Sequence, residues 1–183
     1  MEARHQVKTM SFWGVGAKWA AATLAYAVAV TIVSRRYAVL MIPPACSVPV
    51  NIAAAVLLAI GVPFYVIAAR AMFLGVAAGE LITTGPYRVC RHPIYGSWIV
   101  FILPGLELLC GSWLGLSSSV VGYALLRFMA RTEESYLREK FGERYLPYRR
   151  RTPFVLPIGF LKSANQTADD TAAPRSNLDS NSP

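Results

Sequence analysis

Residues 12–33 and 48–69 form two apolar runs of about 22 residues each, and these constrain the fold more than any other feature of the sequence. At 1.5 Å per residue, a helix of that length crosses the ~30 Å hydrocarbon core of a bilayer. Lys18 falls inside the first run, about one and a half turns in, where its stem can snorkel to the headgroups. Arg4 and Lys8 ahead of the run, and Ala25-Tyr26-Ala27 within it, also fit a cleavable leader. The run continues past that point to Val33, which favours a retained span. Arg35-Arg36 and Pro43-Pro44 mark the first loop; Pro63 is expected to kink the second run and Arg70 to end it. A third stretch, residues 96–128, carries the single acid Glu107 before Arg127 and breaks at Gly111-Ser112. It is too long for one comfortable span and reads as a tight hairpin of tilted helices, roughly 93–110 and 113–128. The expectation is an all-α integral membrane protein of about four spans, followed by a cytoplasmic helical segment.

Charge is scarce and segregated. Charged residues make up 15% of the chain, against about 25% in soluble domains, and residues 127–151 hold eight basic and four acidic side chains. A net charge of +8 distributed in this way points to spans with a basic surface segment beside anionic lipid heads, or simply to a topology signal, and not to nucleic-acid binding. With four spans both termini share a side, and that side collects Arg4, Lys8, Arg70, Arg88, Arg91 and the 127–151 cluster, leaving Arg35 and Arg36 opposite. Both termini are therefore expected to be cytoplasmic, in a bacterial inner membrane or the endoplasmic reticulum. Residues 163–183, rich in Ser, Asn, Asp, Ala and Pro, read as a disordered tail. Three cysteines without CxxC spacing and two distant histidines, His5 and His92, argue against a disulfide framework and against a metal site.

Chemistry-bearing residues gather in two places. In the segment around Gly85-Pro86-Tyr87-Arg88-Val89-Cys90-Arg91-His92-Pro93-Ile94-Tyr95, Gly85-Pro86 starts a turn and Pro86 suits the first position of a short helix. His92, restrained by the following proline, is expected at or near the N-cap of the helix that Pro93 opens, beside unpaired backbone N–H groups. Such a helix start at the membrane surface favours an anion or a polar cofactor group. The second place is the helix that carries the last span into the cytoplasm and that Gly142 should stop. Met129, Glu133, Tyr136-Leu137, Lys140 and Phe141 share one stripe of it, so Glu133 sits on a mostly apolar face and needs a partner such as an arginine or a ligand hydroxyl. Glu134, about 100° away, is expected on a solvated face in an i, i+4 pair with Arg138. Glu107 lies one turn before the hairpin break and is expected to reach the far interface.

Residues 80–95, the Glu133-Glu134 helix, Phe141-Gly142-Glu143-Arg144-Tyr145 and Tyr148-Arg149-Arg150-Arg151-Thr152-Pro153 together resemble the isoprenylcysteine carboxyl methyltransferases and the related membrane phospholipid methyltransferases. The resemblance spans roughly residues 79–160. It implies a region 1–78 with two spans, a catalytic region 79–162 and the tail 163–183. It further implies that S-adenosylmethionine is bound at the cytoplasmic membrane face, for transfer of its methyl group to a lipid or lipid-linked acceptor such as a carboxylate, amine or thiol. By matching position, Gly79, Glu80, Leu81 and Ile82 would line the cofactor pocket and Tyr87 would pack against the cofactor. His92, Pro93, Ile94 and Tyr95 would meet its polar groups, and Glu133 the ribose hydroxyls. Two positions depart from the pattern: Met129 stands where those enzymes carry an arginine for the substrate carboxyl, and Met72 where a polar residue is expected. Arg131 and Arg127 are then the candidates for holding substrate. No catalytic residue is assigned and the oligomeric state is left open. Two other readings share these features: a sterol-reductase-like membrane enzyme using NADPH, and a non-enzymatic scaffold that binds anionic lipid through Arg149-Arg150-Arg151.

Overall fold

A computed structural model describes residues 12–155. Arg4, Lys8, His5 and the tail 163–183 lie outside them, as does the end of the region expected to close at residue 162. The described chain is helical, with no strand and one isolated antiparallel bridge between Met41 and Ser112. In order come α1 (Phe12–Arg36), α2 (Ser47–Ala78), α3 (Pro86–Val89), α4 (Pro93–Ser97), a π-helical turn (Trp98–Ile102), α5 (Leu103–Leu109), α6 (Ser117–Phe141) and α7 (Tyr145–Arg151). α4, the π turn and α5 run on as one apolar helix, Pro93–Leu109.

Two helical stretches, Val15–Arg36 and Pro44–Ala78, are long and apolar enough to cross a membrane. They are not the core helices of a water-soluble protein. Val28 and Ile32 on α1, and Val56 and Ile60 on α2, are each more than half exposed, leaving apolar faces with no protein against them. α2 runs two turns past Arg70, where the sequence was expected to end it. A charge marks a membrane boundary, but it does not interrupt helical hydrogen bonding, and residues 71–78 contain no proline, with Gly75 alone tolerated inside the helix. Gly79 supplies the stop: at φ +68 its N–H turns back to the carbonyls of Gly75 and Val76, and any residue with a Cβ would be strained there.

Small residues bring the helices together. Ala54, Gly61 and Ala68 recur every seventh residue on α2 and are buried. A Cβ on Gly61 would lie 2.5 Å from Phe101 Cβ, and one on Gly105 would lie 3.2 Å from the Ala54 carbonyl oxygen. Close backbone approach of this kind packs the Pro93–Leu109 helix against α2, the mode of contact that small residues allow between apolar helices. α1 packs on α6, where Trp19 Nε1 donates to the Gly122 carbonyl at 2.8 Å.

The hairpin break is where the sequence puts it, with Gly111 at φ +70. The first loop is stitched to it: Ile42 N–H donates to Gly111 O at 2.8 Å, and Trp113 N–H to Leu40 O at 3.1 Å. Glu107 does not reach out to an interface. It is 4% exposed and accepts a hydrogen bond from Thr31 Oγ1 at 2.8 Å, in a space kept open by Gly115, on which any Cβ would collide with the carboxylate. A carboxylate surrounded by apolar side chains does better with a buried donor from the neighbouring helix than with none.

Candidate functional site

The opposite end of the helices carries the clustered polar groups. After Gly79 the chain folds back on α2: Glu80 N–H bonds to Gly75 O at 3.0 Å, and Ile82 lies against Gly75 so closely that no Cβ would fit there. Gly85, at φ +59, then turns the chain into α3, which Pro86 opens. His92 caps α4 with non-helical φ −124 and ψ 61, as its place before a proline predicts. Its side chain makes no capping hydrogen bond and is left to face α6.

There His92, 4% exposed, lies between two carboxylates, with Nδ1 4.0 Å from Glu133 Oε2 and Nε2 3.8 Å from Glu134 Oε1. Both separations are too long for hydrogen bonds, though short enough for charge to matter. Glu133 is buried, and that burial holds its pKa above the ordinary 4.5, opposed by His92 and reinforced by Glu134. Its neighbour behaves in the opposite way. Burial acts to raise the pKa of Glu134, but contact with His92 and the charges of Arg91 and Arg149 outweigh it and hold this carboxyl below 4.5.

The expectation for Glu134 is thus overturned. It is not a solvated partner of Arg138: its Oε1 pairs with Arg91 Nη1, its Oε2 lies 3.5 Å from Arg149 Nε, and its side chain is 16% exposed. The cause is tertiary. α7 and the residues after it fold back over this face of α6, which a lone helix would leave in water. Burial also raises the phenol pKa values of Tyr87 and Tyr148 and pushes the Cys90 thiol up to about 11, so all three stay protonated at neutral pH and Cys90 is no nucleophile.

A cavity of about 690 Å³ opens on this cluster, within the size range of small-molecule sites. All ten residues proposed from the sequence for the cofactor border it: Gly79, Glu80, Leu81 and Ile82 from the turn after α2, Tyr87 from α3, His92, Pro93, Ile94 and Tyr95 from the start of α4, and Glu133 from α6. Among the residues that line it, four buried atoms have no hydrogen-bond partner: Glu133 Oε2, His92 Nε2, Arg91 Nε and Thr23 Oγ1. Such groups are rare in native proteins because leaving them unpaired costs about 1–3 kcal/mol each.

Arg127 and Arg131 do not join the site. Both are exposed and neither borders the cavity, because on a helix they lie roughly 120° and 160° around from Glu133. Met129 packs against the core around Trp19, Tyr95 and Leu126, whereas Met72 does line the cavity. Sequence reasoning missed several of the walls. Tyr136, Leu137, Lys140 and Phe141 border the cavity, and their signal was the helical stripe they share with Glu133. Arg91 and Tyr148 also line it, as do Trp19 and Thr23 of α1 and Tyr65 of α2. No local pattern marks those three; Trp19 and Tyr65 add aromatic wall, and Thr23 adds a buried hydroxyl.

A model of a family described as phospholipid methyltransferase matches residues 50–144. Over 78 residues the chain is 35% identical to the protein-S-isoprenylcysteine O-methyltransferase of Mus musculus, covering 43% of this chain and 28% of that protein. It is 30% identical over 79 residues to protein-S-isoprenylcysteine O-methyltransferase B of Arabidopsis thaliana, covering 43% of this chain and 40% of the relative. Cobalt-zinc-cadmium resistance protein CzcN of Cupriavidus metallidurans is 37% identical over 78 residues, covering 42% and 35%. The chain therefore spans less than half the length of each of these curated relatives. No solved structure matches it.

Proposed function

The chain belongs to the phospholipid methyltransferase family, and from that premise we propose that it moves a methyl group from S-adenosylmethionine to a lipid or lipid-linked acceptor at the cytoplasmic face of a membrane. The observation that carries the reading is the unpartnered, buried Glu133 Oε2 on the wall of a cavity bordered by Tyr87, His92 and Tyr95. Glu133 is a strong acceptor in search of donors, and a ribose presents two adjacent hydroxyls; bonds of that type gain strength in a partly dry site. When bound, the cofactor would supply an electrophilic sulfonium methyl. His92 and Tyr95 offer polar groups beside it, and the turn of residues 79–82 closes the side nearest α2.

The largely aromatic wall of the same cavity, formed by Trp19, Tyr65, Phe73 and Trp98, suits the hydrocarbon part of an acceptor. We place the membrane around four crossings, α1, α2, Pro93–Leu109 and the first half of α6, with this site on the same side as both termini. The chain's own contribution to rate is positioning: two reactants held in line, with bulk water kept out. A carboxylate or thiolate acceptor would need no general base there, and an ammonium acceptor would first have to lose a proton.

The test is calorimetric titration of S-adenosylhomocysteine into the detergent-purified chain. Glu133→Gln keeps the shape and loses the charge, and should weaken binding by about tenfold or more. Absence of binding to the unmodified chain, or undiminished binding by Glu133→Gln, overturns the assignment. Saturable binding of NADPH in its place would point to a reductase instead.

A further inference from the structure

The segment 145–155 lies past the family match, which ends at residue 144, yet it is fastened to the site at three points. Tyr148, whose ring lines the cavity, donates its hydroxyl hydrogen to Tyr87 O at 2.7 Å. Arg149 Nε lies 3.5 Å from Glu134 Oε2. Pro153 O and Phe154 O accept from the backbone N–H groups of Arg91 and His92, at 2.9 and 3.2 Å. These last two bonds fix the backbone of His92 immediately before the rigid Pro93.

Among the described residues the imidazole is held only loosely, its two close carboxylates lying 4.0 and 3.8 Å away. Phe154 backs it instead, with ring centroids 4.7 Å apart at an interplanar angle of 60°. The Phe154 ring is in turn gripped by two guanidinium groups, with Arg127 Cζ 4.9 Å and Arg91 Cζ 5.6 Å from its centroid. Arg127 makes no ion pair among the described residues and instead stacks on this ring. The exposed arginine that sequence reasoning offered to the substrate is engaged behind the site.

We propose that residues 145–155 are a strap that completes the site, and that Phe154, held by cation–π contact with Arg91 and Arg127, is a positioning residue that sets the His92 imidazole for the methyl donor. The inference rests on reading the cavity as the donor site. Phe154 touches neither donor nor acceptor in this arrangement and acts only through His92. Its effect should therefore appear in donor affinity and require an aromatic face, whereas a residue that merely fills space would be replaced by any apolar side chain of similar size.

The experiment uses the full chain and S-adenosylhomocysteine calorimetry with Phe154→Leu, Phe154→Tyr, Arg127→Met and the double variant Phe154→Leu with Arg127→Met. Phe154→Leu should weaken binding about tenfold and Phe154→Tyr should restore it, because the ring and its cation stacking return. Arg127→Met, a change at an exposed side chain that leaves the fold intact, should weaken binding about threefold, and the double variant should be no worse than Phe154→Leu alone, as expected of groups acting as one unit. Wild-type affinity in both single variants overturns the strap, as does failure of Phe154→Tyr to restore binding or simple multiplication of the two effects. If the unmodified chain does not bind S-adenosylhomocysteine, the donor reading fails first and takes this inference with it; binding by the unmodified chain that the variants leave untouched removes the strap alone.

Discussion

Glu133 and Glu134 are adjacent in sequence, and the structure gives them opposite electrostatic fates. Glu133 has a pKa raised by burial, so its ionised form costs stability once pH rises past the unfolded value, with the full cost present above the folded value and none below the unfolded one. Glu133→Gln should therefore raise the melting temperature of the ligand-free protein at neutral pH, by about 2–4 °C if it relieves about 1 kcal/mol, and have no such effect below about pH 4. Under the proposed function the same substitution should also weaken donor binding, a trade of stability for function common at binding sites. Glu134 has a lowered pKa, so its contribution is present above the unfolded value and is lost as pH falls through the folded one. Glu134→Gln leaves Arg91 and Arg149 facing a neutral amide and should cost about 2 kcal/mol at neutral pH, a penalty that fades in acid. Thermal unfolding of both variants at two pH values checks the pair together. Changes of the same sign in both at neutral pH would contradict the arrangement.

At the scale of elements, helix packing depends on glycines whose replacement can be predicted from distance. A Cβ on Gly61 would sit 2.5 Å from Phe101 Cβ, a backbone-proximal atom that no side-chain rotation can move away. Gly61→Val should thus push α2 from the Pro93–Leu109 helix at a cost of about 1–3 kcal/mol, read as a lower melting temperature in detergent. Gly79→Ala meets no neighbour and should cost only the positive-φ penalty of about 1 kcal/mol. What the sequence made legible divides along the same line between local and distant causes. The apolar runs, the hairpin break at Gly111, the cap position of His92 and the inward face of Glu133 all follow from periodicity and from proline or glycine within a few residues. The continuation of α2 past Arg70 was hidden because a charge signals solvent, not the end of a helix. The inward turns of Glu107 and Glu134 depend on Thr31 and Arg149, which lie 76 and 15 residues away and leave no trace in local spacing. Trp19 and Tyr65 were likewise invisible as cavity walls, since an aromatic residue in an apolar run looks the same whether it faces lipid or a ligand.

For the whole molecule, the two ends of the helices carry different chemistry, and this makes the proposed topology open to test. The first loop and the hairpin turn are joined at one end through Met41 and Ser112, and the candidate site with α7 occupies the other. Cys46 is exposed in the first loop, whereas Cys90 is 2% exposed beside the site and its thiol is pushed up to about 11. A thiolate is the reactive form, so Cys90 should resist maleimide at neutral pH even where the reagent reaches its side of the membrane. With four crossings and the site facing the cytoplasm, a membrane-impermeant maleimide should label Cys46 in intact cells. A cysteine introduced by Arg138→Cys, on the exposed face of α6, should react only after permeabilisation. Labelling of the Arg138→Cys site in intact cells, with Cys46 protected, would invert the orientation and place the acceptor in the opposite leaflet. Labelling of both sites in intact cells would mean an even number of crossings between them, against the three of the proposed topology, and would sink the four-span arrangement. The orientation decides which lipids can present an acceptor group to the cavity, so this measurement on three positions bears on the substrate as directly as an activity assay.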